Sequence, residues 1–311
     1  MINSFGRSLH KLRVQLLDAC NMRCSYCMPD NPKFLPSKDL IKIDELLDIC
    51  SKLIKRGVDE IRLTGGEPLM RKDFIEIVKG LSKYPLKKLG VTTNAMLLNK
   101  EILFELSKTN LKYINISLDS LNSERFKDIT KRDVWQDVYN NILLAQEMGF
   151  EVKVNTVIMK DFNGDEILDF ITFAEKTGVN VRFLELMRVG PNNINLSDQI
   201  VTMNEIIDKI SVIHSLQKCE VPEGNTAQEF RTLSGAHIGF IASETQSFCS
   251  SCSRLRLTAK GELRSCLFRE EAVSLIGLND DDFNFAVDAI AKKKPLERIE
   301  SIQQSMNVIG G

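Results

Sequence analysis

Apolar residues along the 311-residue chain fall into two alternating rhythms. Short runs of period two at Leu12–Asp18, Glu60–Thr64, Lys88–Asn94, Tyr113–Asp119, Glu151–Met159 and Asn180–Met187 predict β-strands. Between them, apolar residues recur at helical spacing over Asp44–Arg56, Asp73–Lys83, Lys100–Lys108, Val134–Met148 and Asp165–Lys176, and Thr202–Leu216 reads as a closing helix. Gly57, Gly149 and Gly178 stand just past helical stretches, where a left-handed residue ends a helix. Strand–helix units repeated in this way predict an α/β fold with a parallel sheet and its helices outside.

Strands of a parallel sheet covered on both faces are apolar throughout. These are not. One face carries Arg13 and Gln15, then Arg62 and Thr64, then Thr92 and Asn94. It continues through Asn115, Ser117 and Asp119, then Lys153 and Asn155, then Glu185 and Met187. A sheet curved around a polar lumen accounts for that face, whereas a complete eight-stranded barrel fills its interior with branched apolar side chains. The expectation is an incomplete (β/α)6 TIM-like barrel over residues 1–217, with room for a large polar ligand, and a smaller C-terminal domain over 218–311. Polar motifs also stand where strands end: the first cysteine group, Gly65-Gly66-Glu67-Pro68, Thr92-Thr93-Asn94 and Ser117-Leu118-Asp119-Ser120. Active sites of β/α barrels lie at that end.

Composition narrows the function classes. Forty-one basic residues face forty-two acidic ones, which argues against a dedicated binder of nucleic acid or membrane surfaces. One Trp and four Tyr offer few stacking platforms for RNA. No run of eighteen apolar residues exists, and Met1–Lys11 lacks the apolar stretch of a signal peptide, so a cytoplasmic protein is expected. Thiols stay reduced there, and eight cysteines need a purpose other than disulfides.

Six of the eight form two groups. Cys20, Cys24 and Cys27 sit in CNMRCSYC, and Cys249, Cys252 and Cys266 sit in CSSC followed by a third cysteine. Cys50 lies in an apolar helical pattern and reads as a small core residue; Cys219 is isolated. Three thiolates leave one position of a metal centre open, the feature that separates catalytic from structural sites. His10, His214 and His237 are adjacent to neither group. The first spacing is not a usual zinc signature, while the second alone suits a zinc ribbon as well as a cluster. Arg254–Thr258 and Glu262–Cys266 read as a hairpin around Ala259-Lys260-Gly261. That hairpin would set Cys252 opposite Cys266, with Arg254 and Arg256 projecting beside Cys252.

CNMRCSYC, with an aromatic residue before its third cysteine, and TGGEP after the second strand resemble the radical S-adenosylmethionine superfamily. LLDACNMRCSYCMPD, RLTGGEPLMR, VTTN, INISLDSL, KVNTVIM, RFLELM, FCSSCSRLRLTAKGELRSCLF and a terminal IGG are similar to the GTP 3′,8-cyclase family, which begins molybdenum cofactor biosynthesis. The resemblance implies two [4Fe–4S] clusters, one on each cysteine trio, with S-adenosylmethionine on the open iron of the first. It implies S-adenosylmethionine contacts from Tyr26, Gly66, Ser117 and Met187, with Glu67 and Arg182 toward the methionyl amine and carboxylate. It implies GTP contacts from Arg13, Arg62, Thr92 and Lys153, and from Arg254-Leu255-Arg256 beside the second cluster. Arg13, Arg254, Arg256, Gly310 and Gly311 match catalytic positions, the terminal glycines reaching into the active site.

The implied reaction is a lyase chemistry. A 5′-deoxyadenosyl radical takes the ribose 3′ hydrogen of GTP, and the resulting carbon radical closes on C8. Implied partners are a one-electron reductant protein and a downstream cyclic pyranopterin monophosphate synthase, and the family allows a homodimer. Two alternatives stand beside this reading: a peptide-modifying radical enzyme with an auxiliary cluster, and a zinc-bearing nucleic-acid-binding module. Ala95 follows TTN where the family commonly has Gly, and Arg188 after ELM has no assigned role.

Overall fold

Strands β1 (Lys11–Gln15), β2 (Glu60–Thr64), β3 (Lys88–Thr93), β4 (Leu111–Ser117), β5 (Glu151–Ile158) and β6 (Asn180–Glu185) lie side by side, parallel and in chain order. The computed structural model describes residues 1–29, 31–190, 196–222, 224–299 and 302–310. Helices α1 (Ile43–Lys55), α2 (Phe74–Leu81), α3 (Lys100–Ser107), α4 (Ser123–Thr130), α5 (Trp135–Glu147) and α6 (Ile167–Thr177) fill the crossovers, and α7 (Met203–Ser211) follows β6. The expected (β/α)6 arrangement is therefore present.

Helix α1 shows why these segments fold as they do. Leu46, Ile49, Cys50 and Leu53 share one face and are buried, which gives Cys50 its core role. Against such faces pack the outward residues of the strands, among them Val14, Leu63, Val91, Ile116, Val154 and Phe183. Each buried side chain of this kind contributes about 1.5–3 kcal/mol. Periodicity does not predict α4, because its apolar stripe is short. Its termini form it: Asn122 accepts hydrogen bonds from the amides of Glu124 and Arg125, and Lys131 ends it in the left-handed conformation.

The remaining strands are β7 (Leu216–Lys218), β8 (Gln228–Thr232), β9 (His237–Ile241), β10 (Arg254–Leu257), β11 (Glu262–Arg264) and β12 (Ala272–Ser274). Strand β9 joins β6 in parallel, and β10 joins β1 in parallel. The segment after residue 217 thus extends both sides of the six-stranded sheet, with no break in the sheet at that point. The order is β12-β11-β10-β1-β2-β3-β4-β5-β6-β9-β8-β7; among the described residues its two ends do not pair, so the barrel stays open. Helix α8 (Asp280–Lys292) covers β11 and β12, and a last turn runs over Met306–Ile309.

Two expectations need correction here. Arg256 pairs with Arg264 and Leu257 with Leu263, which centres the hairpin on Lys260. Cys252 is therefore not opposite Cys266. The cause is Gly261, whose φ of 74° closes a turn in which its amide bonds the Thr258 carbonyl at 2.9 Å. In β6 Arg182 and Leu184 hold the lumen parity, paired with Asn155 and Val157, whereas Glu185, which also borders the cavity, pairs with the core residue Ile158. The Glu185 carboxylate is spent on the amides of Met203, Glu244 and Thr245, from which it accepts, holding the chain that follows β9. Ala95 takes a φ of 59°, the left-handed conformation that a Gly there would adopt without cost.

Candidate active site

Pairing register builds the lumen. Arg256 lies beside Arg13 and Arg13 beside Arg62, while Asn115 lies between Thr92 and Lys153. Inside is a cavity of about 630 Å³, lined by all six grouped cysteines. Arg13, Arg62, Thr92, Lys153, Arg254 and Arg256 line it, as do Tyr26, Gly66, Ser117, Met187 and Arg182. The structure therefore brings most of the expected residues into one space, although they are dispersed through the sequence.

Three of the expected residues, Leu255, Glu67 and Gly310, do not line the cavity. Leu255 is fully buried in the outer core, because alternation along β10 turns it away from Arg254 and Arg256. Glu67 is also fully buried and does not line the cavity. Its carboxylate accepts from Thr93 Oγ1 at 2.7 Å, the Asn94 amide at 2.7 Å and the Leu69 amide at 3.0 Å, and burial raises its pKa to about 7. Gly310 lies behind the lining residues, where Arg256 donates to its carbonyl. Gly311 lies outside the described residues. Gly66 does line the cavity, but its lack of a side chain has a nearer cause than a ligand. A Cβ there would stand 2.2 Å from the Ala19 carbonyl oxygen, in the loop that leads to Cys20.

That loop is held at several points. The Arg23 and Ser25 amides donate to Thr130 and Ile129 at the end of α4, and Tyr26 Oη donates to Asp119 Oδ2 at 2.8 Å. Asn94 Nδ2 lies 3.6 Å from Cys20 Sγ. Burial pushes the Cys27 thiol up to about 12 and also raises Cys20 and Cys24. At the second trio, burial likewise raises Cys249. Burial opposes ionisation of Cys252 too, but Arg254 and Lys294 outweigh it and bring that thiol down to about 5.

Lys294 was hidden in a charged run of the sequence. It is buried, and its ammonium donates to the carbonyls of Arg254 and Ser265 at 2.7 and 2.8 Å. Arg7, equally unflagged by motif, donates to the carbonyls of Cys249, Lys294 and Pro295. Arg188 pairs with Glu244 at 3.0 Å, and Arg298 joins the same carboxylate. These residues secure the second cysteine loop and the chain beyond α8.

Sulfur spacing bears on what the trios hold. In neither do the three sulfurs lie mutually within 4.8 Å; among the described residues only His10, Asp59 and Glu60 form such a group, and Asp59 there already pairs with Lys87. Thiolates about 2.3 Å from a single zinc ion stand about 3.8 Å apart. The wider spacing suits a polynuclear cage. The three histidines are engaged elsewhere, with Asp59, Glu175 and Glu229.

Charge in the lumen is lopsided. Burial, then the neighbouring Arg256, Arg254 and Arg62, lowers the pKa of Arg13 far below its usual value. Burial and Arg182 bring Arg62 to about 10 and Lys153 to about 8. Glu229 answers part of this, 2.6 Å from Arg182 and 3.8 Å from Lys153. Among the described residues Arg13 and Arg62 form no ion pair, a costly state for half-buried cations in the absence of an anion.

Comparison with known proteins agrees with this geometry. Residues 14–174 match the Radical SAM superfamily and residues 179–297 match Molybdenum Cofactor Synthesis C. The chain is 39% identical to GTP 3′,8-cyclase of Synechocystis sp. over all of this chain and 95% of the relative. It is 37% identical to GTP 3′,8-cyclase of Aquifex aeolicus over 98% and 96% of the two chains. Streptococcus suis SuiB, solved bound to precursor peptide SuiA, has the same fold, with a TM-score of 0.66 at 14% identity over 93% of this chain and 66% of that one. A lumen joining two cysteine trios, and sequence likeness along the whole chain, lead to one assignment: this chain belongs to the GTP 3′,8-cyclase family of the radical S-adenosylmethionine superfamily.

Proposed function

We propose that this chain converts GTP to (8S)-3′,8-cyclo-7,8-dihydroguanosine 5′-triphosphate, the first step of molybdenum cofactor biosynthesis. The observation that carries the reading is the excess of cations lining a lumen between two cysteine trios. A triphosphate supplies the missing negative charge. Arg13, Arg62 and Lys153 are suited to hold it, with Thr92 as a hydroxyl donor beside them. Arg254 and Arg256 flank the second trio and are suited to orient the base.

Cys20, Cys24 and Cys27 would hold one [4Fe–4S] cluster, and Cys249, Cys252 and Cys266 a second. When bound, the first cluster and S-adenosylmethionine supply the one-electron chemistry that starts a radical reaction at the ribose. The chain's own part is placement and exclusion of water. Arginines on β1, β2 and β10 fix the two ends of the nucleotide, so the ribose between them faces the first trio. Walls built from the sheet keep competing hydrogen donors away. Tyr26, Gly66, Ser117 and Met187, which line the cavity, would contact S-adenosylmethionine. Electrons would come from a one-electron reductant protein, and the product would pass to a cyclic pyranopterin monophosphate synthase. The setting is the cytoplasm, where the free thiols remain reduced, and a homodimer fits the family.

A peptide-modifying enzyme of the same fold is the rival reading. The lumen's cationic excess favours a triphosphate over a peptide. Anaerobic reconstitution followed by assay for 5′-deoxyadenosine and cyclised nucleotide, with GTP or with peptide, decides between them. Cys24→Ser should abolish S-adenosylmethionine cleavage; retained cleavage would refute the role of the first trio. Arg256→Ala should weaken GTP binding and leave iron content intact.

A further inference from the structure

By parity Gln15 belongs to the lumen, yet its side chain is 3% exposed and does not line the cavity. It meets the end of the chain instead. Gln15 Nε2 donates to the Asn307 carbonyl at 2.7 Å and the Val308 carbonyl at 3.2 Å, while Oε1 accepts from the Ala259 amide at 3.2 Å. One amide group therefore joins β1, the turn after β10 and the terminal segment.

We propose that Gln15 is a positioning residue that sets the register of the C-terminal segment between the two cysteine sites, a proposal that rests on the lumen being the GTP site. Ile309 packs with Val189, Leu267 and Ile302, which draws the segment inward. Apolar packing is non-directional and does not choose a register. Directional bonds do. Asn307 Nδ2 donates to the Asp18 carbonyl at 3.2 Å, in the loop leading to Cys20. Gln15 takes the next two carbonyls, and Arg256 donates to the carbonyl of Gly310. Gly310 has a φ of 69°, and a Cβ there would stand 2.9 Å from Gln15 Cβ, so the segment lies directly against Gln15. Losing the Gln15 bonds leaves the segment free to slide, and the Gly310 carbonyl no longer meets Arg256, the residue suited to orient the base.

The test is carboxypeptidase digestion of the anaerobically reconstituted full chain, followed by mass spectrometry, beside the GTP assay. In Gln15→Leu, terminal residues should be released at least about tenfold faster. Cyclised product should fall by about the same factor, with iron content and GTP Kd within about twofold of the parent. Should that variant not fold, Gln15→Met, unbranched and of similar length but with no amide to donate, removes the same bonds and carries the same expectation. Unchanged release overturns the proposal, as does faster release with full product formation. If release accelerates but GTP is no substrate of the parent chain, the latch stands and the functional reading falls.

Discussion

Tyr26 donates a 2.8 Å hydrogen bond to Asp119, and the other oxygen of that carboxylate accepts the Val157 amide at 2.8 Å. One buried acid thus ties the first cysteine loop to the ends of β4 and β5. Burial raises Asp119 to about 6 against the pull of both donors. Tyr26→Phe removes one of them, at a cost of about 1–3 kcal/mol for the stranded acceptor. Iron should be lost from the first trio while the second keeps its own, read by iron analysis and urea midpoints.

Gly66→Ala should act on the first site through its backbone. The added Cβ meets the Ala19 carbonyl, an atom that cannot swing aside as a side-chain tip can. The Ala19 loop must move, and Cys20 moves with it. The expected result is loss of about half of the iron even without S-adenosylmethionine; a variant with full iron and weakened S-adenosylmethionine binding would instead show that the glycine serves ligand approach.

Lys153 gives the nucleotide affinity a pH dependence. Its folded pKa is about 8, lowered first by burial and then by Arg182. A bound triphosphate favours the charged form, so GTP binding above about pH 8 should take up a proton and weaken as pH rises. Titration calorimetry in buffers of different ionisation enthalpy reads that uptake, and Lys153→Met should abolish it. In the free protein, the folded state holds fewer protons than the unfolded chain between about 8 and about 10.4, so the penalty for burying Lys153 shrinks as pH rises through that window.

Glu229 is the internal counter-ion of the same cluster. Burial pushes its carboxyl up, yet Arg182 and Lys153 outweigh that and hold it below its usual value. Glu229→Gln leaves those cations unanswered. The free protein should melt lower and GTP should raise its Tm by more than in the parent, because the triphosphate then supplies charge that Glu229 no longer competes for. Thermal melts with and without GTP measure both effects; an unchanged GTP-induced shift would count against phosphate binding at Lys153.

The sequence by itself determined the order of the six strand–helix units, the polar lumen face and the two cysteine trios. These features depend on local periodicity and spacing: alternation assigns a side chain to one face of a strand, and helical stripes are set within a few turns. The short helix α4 was not legible, because caps rather than a stripe form it. Tertiary structure alone decided that β9 and β10 extend opposite sides of one sheet. It also decided that the hairpin centres on Lys260, that Leu255 and Glu67 turn away from the cavity, and that Lys294, Arg7 and Gln15 serve the site. Each of these rests on a pairing register or a hydrogen bond between residues far apart in the chain. Such contacts exist only once packing has chosen which buried polar group meets which, and no local pattern encodes that choice.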